Sequence, residues 1–277
     1  MHDPQVPETL EGWSMLHQMF RVRWSAWRKL SQADRSRIAG EAAERLGAMH
    51  SDSGRSVPVT LLGHKGDLML VHLRRGFEAL QQAQLDIASL GLHEYLESTT
   101  SYVSVVELGM YEMTGKVHAD LLEKGLKTGS DEFEAAFDAE MAEQEKRVQG
   151  RLYQEIPARR YVCFYPMDKR RGEHKNWYAV DFAERGRMMR EHGKIGRYFA
   201  GSVNQIISGS IGFDDWEWGV DLFADDPVVF KKLIYQMRFD EASVWYGEFG
   251  PFYTGLQFSA SELPGLLEGR VPALLEA

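Results

Sequence analysis

Only one cysteine, Cys163, occurs in 277 residues. Without a second thiol there is no intramolecular disulfide, thiolate zinc site or iron–sulfur cluster to build. No stretch reaches the roughly 18 apolar residues that a membrane helix needs. The start Met1-His2-Asp3-Pro4-Gln5 has neither the basic end nor the apolar stretch of a signal peptide. The expectation is a cytoplasmic chain with no membrane partner. Cations are scarce too: 32 Lys and Arg face 41 Asp and Glu, a net charge of −9. Such a field repels polyanions and argues against nucleic acid, while a local basic cluster can still hold a small anion. What remains, 44% hydrophobic and 26% charged residues, suits one large domain or two packed smaller ones and excludes disordered or collagen-like sequence.

The organising signal is an internal repeat. Strand character over Trp13 to Phe20 is followed by Trp24, a turn and a helical pattern through Leu46. Val57 to Leu62, a glycine turn and Leu68 to Val71 then form a hairpin, before a helix over about Arg75 to Ser89 and a strand from Tyr102 to Leu108. The order is β-α-β-β-α-β, the ferredoxin-like split unit. The second half repeats it: strand Tyr161 to Met167, Trp177, a helix to about Tyr198, the hairpin Val203 to Ser208 and Trp216 to Phe223, a helix from Pro227 to about Ser243, and a strand near Phe252 to Phe258. The expected fold class is α+β, two ferredoxin-like βαββαβ repeats joined as a dimeric α+β barrel within one chain. The expected domains are residues 1–112, a charged and partly helical linker or lid over 113–150, and 151–277 carrying the functional site.

Four positions in the second half resist a purely structural reading. Alternation puts Tyr161, Cys163, Tyr165 and Met167 on one face of their strand and Val162, Phe164 and Pro166 on the other. An isolated tyrosine there is most simply a packed aromatic. Directly after it, Lys169-Arg170-Arg171-Gly172-Glu173-His174-Lys175 puts four cations in seven residues, either a solvated turn or a clamp for carboxylate or phosphate. His192 shares a helix face with Met188, Ile195 and Phe199, where a core role is the ordinary one. Gly193 and Gly196 beside it strip the helix of side chains, as if a bulky flat body approached, the setting an axial haem ligand needs. An ungapped alignment from Trp24 on Trp177 sets Ala39 opposite His192, so one site per chain is expected. Gln205 shares a strand face with Val203 and Ile207 and must find a partner, in backbone or in a cavity.

Together with Asn176-Trp177-Tyr178, Arg190-Glu191-His192-Gly193, Ile195-Gly196-Arg197, Gly212-Phe213-Asp214-Asp215-Trp216-Glu217-Trp218-Gly219-Val220 and Met237-Arg238-Phe239-Asp240-Glu241, these runs resemble the coproheme decarboxylases of the chlorite dismutase superfamily. The resemblance implies that His192 is the axial ligand to iron, Tyr165 the redox-active tyrosine, Lys169 the base beside the reacting propionate, and Gln205 the distal residue. It implies that Arg151, Tyr111, Arg238 and Ser243 hold propionates and that Met167 lines the pocket. The implied reaction is hydrogen-peroxide-dependent decarboxylation of two propionates of iron coproporphyrin III (coproheme) to vinyls through a tyrosyl radical, giving haem b by way of a three-propionate intermediate. Coproheme is then both substrate and redox centre. The implied partners are a homopentamer and a transient ferrochelatase contact. The alternatives are a chlorite dismutase or peroxidase, disfavoured by glutamine at 205, and a haem-binding protein without chemistry.

Overall fold

In a computed structural model describing residues 5–274, alternating strands and amphipathic helices close into one barrel. The Met1–Gln5 start, read above for a leader, lies outside the described residues except for Gln5. The first repeat runs β1 (Thr9–Val22), α1 (Trp24–Trp27), α2 (Gln32–Ala48), β2 (Gly54–Leu61), β3 (Leu68–Arg74), α3 (Phe77–Ala88) and β4 (Leu96–Gly109). Helices α4 (Tyr111–Glu123) and α5 (Asp131–Leu152) follow. The second repeat runs β5 (Tyr161–Lys169), α6 (Phe182–Tyr198), β6 (Asn204–Gly209), β7 (Trp218–Ala224), α7 (Val228–Met237), α8 (Glu241–Tyr246), β8 (Gly247–Phe249) and β9 (Tyr253–Gln257), and α9 (Leu263–Leu267) closes the order.

The strands pair in the order β7-β6-β4-β1-β3-β2-β9-β5, and β5 pairs back onto β7, so the sheet is closed. The ferredoxin-like α+β barrel is therefore the fold. Glycines sit at both seams between the repeats. At β2 and β9 a Cβ on Gly255 would fall 1.6 Å from the Thr60 carbonyl oxygen, and at β4 and β6 one on Gly209 would strike the Glu107 carboxylate. At Gly255, where the clash is with backbone, only a residue without a side chain allows the approach. Inward-facing Trp13, Met15, Val71, Val162, Phe164 and Phe223 fill the barrel. Among them, fully buried His17 meets the Asp221 carboxylate at 3.0 Å, tying β1 of one repeat to β7 of the other.

The repeats differ in what covers the outer face of the sheet. Helix α2 starts at the Ser31 cap, whose hydroxyl accepts from the Asp34 N–H. It buries Ile38, Ala39, Ala42, Ala43 and Leu46 against Phe20, Leu68, Leu70, Phe258 and Leu263. Its counterpart α6 starts at the Asp181 cap but buries only Arg185, Gly186 and Met188. Within residues 113–150, expected as a charged and partly helical linker or lid, lie most of α4 and α5, which bury Val117, Leu121, Phe133, Phe137 and Met141 against Leu10 of β1. The helix expected over Pro227 to Ser243 is two helices, because Asp240 leaves helical geometry and caps α8 through the Ser243 N–H.

Candidate functional site

Helix α6 packs mainly against α4, α7 and α8, and part of β6 stays uncovered. Ladder pairing places Gln205, Leu222 and Cys163 in one row across β6, β7 and β5, and Ile207, Val220 and Tyr165 in the next. Paired side chains project to the same face, here the side of α7 and Tyr165. Gln205 and Ile207 are nonetheless exposed. Of the two readings of the Gln205 amide, a tie to backbone or a group pointing into a cavity, its exposure suits the second.

His192 lies half-buried on α6, its Nδ1 3.1 Å from Asp240 Oδ2. The same carboxylate accepts from Ser243 Oγ at 2.8 Å, and its other oxygen from the Ser243 N–H at 3.2 Å. Burial alone would raise the Asp240 carboxyl, but the bond from His192, its charge and the two Ser243 donors outweigh this and hold it below the usual range. A histidine whose Nδ1–H is fixed on a carboxylate presents Nε2 outward in a set orientation, the arrangement of a metal-bound imidazole. A Cβ on Gly196 would meet Met237 Cε at 3.8 Å, ordinary contact, and one on Gly193 only the Arg197 guanidinium tip at 3.3 Å. Packing within the chain thus gives neither glycine a strong reason to lack a side chain.

Along β5, Tyr165, Met167 and Lys169 follow one another on this face. Tyr165 is buried, with Phe252 stacked 4.6 Å away. Burial raises its phenol, the nearby Cys163 raises it further, and Arg238 partly offsets both. Arg238, exposed after α7, lies 4.9 Å over the Phe249 ring. Lys169 is 7% exposed, its ammonium 4.6 Å over Trp177. Burial pushes it down to about 8, against the opposing pull of Asp240 and Glu217. Asp168 turns elsewhere and accepts the Glu217 N–H at 2.7 Å, while Glu217 accepts the Lys169 N–H at 2.8 Å.

Asp240 is thus the meeting point of His192, Ser243 and, through charge, Lys169, with Arg238 two residues before it. Ser243, expected to meet a propionate, donates to Asp240. Tyr111 is half-buried beside Trp177, its phenol raised by burial despite Arg185. Arg151, in the last turn of α5, is exposed without an ion pair among the described residues. Sequence reading missed the roles of Asp240 and Glu217. The Asp-x-x-Ser spacing of a helix cap was the one available signal for Asp240.

No group of three or more His, Cys, Asp or Glu able to hold a bare ion occurs among the described residues. An iron held through His192 would take its other ligands from outside the chain, as in a porphyrin. The open face beside Gln205, the oriented histidine and the cations Arg238 and Arg151, without ion pairs among the described residues, fit such a group bearing carboxylates.

Comparison with known proteins agrees. A family model described as chlorite dismutase matches residues 35–258. A Natronomonas pharaonis protein provisionally named as heme-binding is 43% identical over 96% of this chain and 42% of its own length. A Haloquadratum walsbyi protein with the same description is 39% identical over 98% of this chain and 49% of its own. The chain thus spans about half the length of these curated relatives. A Thermus thermophilus structure described as a novel heme-binding protein superposes with a TM-score of 0.78 at 37% identity, covering 97% of this chain and all of that one. A chlorite dismutase mutant from Candidatus Nitrospira defluvii reaches 0.70 at 20% identity over 93% of this chain and 96% of its own, a likeness of fold.

Proposed function

Because the chain belongs to the chlorite dismutase family, we propose that it is a coproheme decarboxylase using hydrogen peroxide to turn two propionates of iron coproporphyrin III into vinyls. The observation that supports this reading best is a carboxylate-tied histidine, a buried tyrosine and a buried lysine in the repeat that leaves Gln205 and Ile207 of β6 exposed. Each turnover takes one propionic acid group and one peroxide to one vinyl group, one carbon dioxide and two waters. When bound, the iron porphyrin supplies the one-electron chemistry that draws on peroxide.

The chain's part is positional and protonic. His192 Nε2 would hold the iron while Asp240 keeps Nδ1–H. Burial keeps the Tyr165 phenol protonated, so the oxidising equivalent that peroxide supplies through the bound porphyrin would take its proton and electron together and leave Tyr165 Oη able to take hydrogen from the propionate β-carbon. Lys169, with a value of about 8, populates both forms near neutrality: the ammonium holds the substrate carboxylate and the amine receives a proton. Arg238, Arg151 and Tyr111, with Ser243 once its hydroxyl turns from Asp240, would hold the remaining propionates, Met167 would line the pocket and Gln205 would stand on its uncovered side. The cytoplasm, a homopentamer and a transient ferrochelatase contact belong to the same proposal.

A second reading, heme binding without chemistry, is favoured by the descriptions of the relatives. The two separate when the protein is loaded with iron coproporphyrin III, peroxide is added stepwise and product mass is followed. Two successive losses of a formate equivalent, absent in Tyr165→Phe, are expected. Binding without mass change in the wild type would leave the heme-binding reading.

A further inference from the structure

A cavity of about 330 Å³ opens at the mouth of the barrel on the opposite face of β5 from Tyr165. The rings of Tyr102, Phe164, Trp216 and Tyr253 line it together with Asp214 and Asp215, and no basic side chain does. Its walls are built. A Cβ on Gly219 would fall 2.7 Å from Tyr102 Cε1 and one on Gly250 2.9 Å from Trp216 Cζ2, so both rings fill space that only glycine leaves. Tyr102 is also held by the Ser210 hydroxyl.

The charge is fixed as firmly. Asp214 Oδ2 accepts the Val103 N–H at 2.9 Å and Oδ1 the Asp215 N–H at 2.8 Å. Neither carboxylate has an ion pair among the described residues. The Tyr253 ring already takes one cation: Lys65 Nζ lies 5.5 Å from its centroid while donating to the Phe252 carbonyl at 2.6 Å. Barrel mouths are common ligand sites, and aromatic faces with carboxylates attract a cation with an apolar body. Carboxylates on the wall repel an anion, and no cluster of ligating side chains suits a bare metal ion.

We propose that the barrel mouth binds a small organic cation, a protonated amine or quaternary ammonium ion, against the partly open Trp216 and Tyr253 rings and beside the Asp214–Asp215 pair. The site is separate from the proposed porphyrin site and does not depend on it. Calorimetric titration of the whole chain with tetramethylammonium chloride and with methylammonium chloride, against matched sodium chloride, tests it. Saturable binding of at least one of the two, one per chain, is expected, weakened about tenfold by Trp216→Leu and measurably by Asp215→Asn, and unchanged by His192→Ala. Asp215 is exposed, so its variant keeps the fold even if Trp216→Leu does not. No saturable heat from either salt up to roughly 50 mM, or binding indifferent to Asp215→Asn, would overturn the proposal.

Discussion

Ser56 and Gln205 hold the same place in two copies of one hairpin. Ser56 lies on β2 opposite His72, Gln205 on β6 opposite Leu222, and the partner strands β3 and β7 end alike where they meet Ser14 and Tyr161. Yet Ser56 is 5% exposed, its hydroxyl 2.8 Å from His72 Nδ1, whereas Gln205 is open. One pair further along, Pro58 is buried and Ile207 is 40% exposed. The helices repeat the contrast. Both α2 and α6 have 17 residues, and matched end to end they set Ala42 opposite His192 and Ala43 opposite Gly193, three places on from the ungapped sequence alignment. Ala42 is fully buried, and His192 is not. The first copy fills the space between helix and sheet with apolar side chains and gains stability from it. The second leaves Gln205, Ile207 and His192 less covered and sets titratable groups on the same side. The same connectivity carries a filled layer in one copy and a candidate site in the other.

The contrast breaks most sharply at Ala42. Ala42→His forces an imidazole into a filled apolar layer, and overpacking with unpaired ring nitrogens should cost about 3 to 5 kcal/mol. Urea unfolding would show this loss, and titration would show no second porphyrin site.

Lys169 sharpens it through pH. In the first copy the matching strand position is Val22, 3% exposed and apolar. Lys169 has a folded value of about 8, below its ordinary 10.5, because burial disfavours its charge. The unfolded chain therefore binds more protons between these values, and stability should rise with pH through that window and fall as pH drops back through 8. The full span is about 3 kcal/mol. Denaturant unfolding at pH 7 to 10.5 should lose this component in Lys169→Met; an identical pH dependence would refute it.

The smallest effect is expected at Gly196. Gly196→Ala meets only ordinary contact from Met237 and should stabilise the helix by about 0.5 to 1 kcal/mol. Affinity for iron coproporphyrin III should nevertheless fall several-fold, because the new methyl group occupies the ligand's side. Unchanged affinity would mean that the glycine serves no ligand.

Much of this was legible in sequence. Period-two and helical patterns gave the doubled βαββαβ order, and the face assignment of Tyr161, Cys163, Tyr165 and Met167 matches their packing outside the barrel while Val162 and Phe164 pack inside. Helices α4 and α5 were harder, because Phe133, Phe137 and Met141 form a stripe at four-residue spacing inside an acidic run whose charges dominate its composition. The break before α8 was hidden by continuous helical character, and only the Asp240 to Ser243 cap marks it. Asp240 and Glu217 act through contacts 48 residues away in sequence, on His192 and on Lys169. No local pattern reports such pairings. The exposure of Gln205 depends on where α6 stands, which is likewise a tertiary property.

The most direct test of the open second copy is titration with iron coproporphyrin III, following absorbance for stoichiometry and resonance Raman for the ferrous iron–histidine stretch. One porphyrin per chain, with a stretch that disappears in His192→Ala, is the expected result. Two porphyrins per chain, or a stretch that persists in His192→Ala, would contradict it.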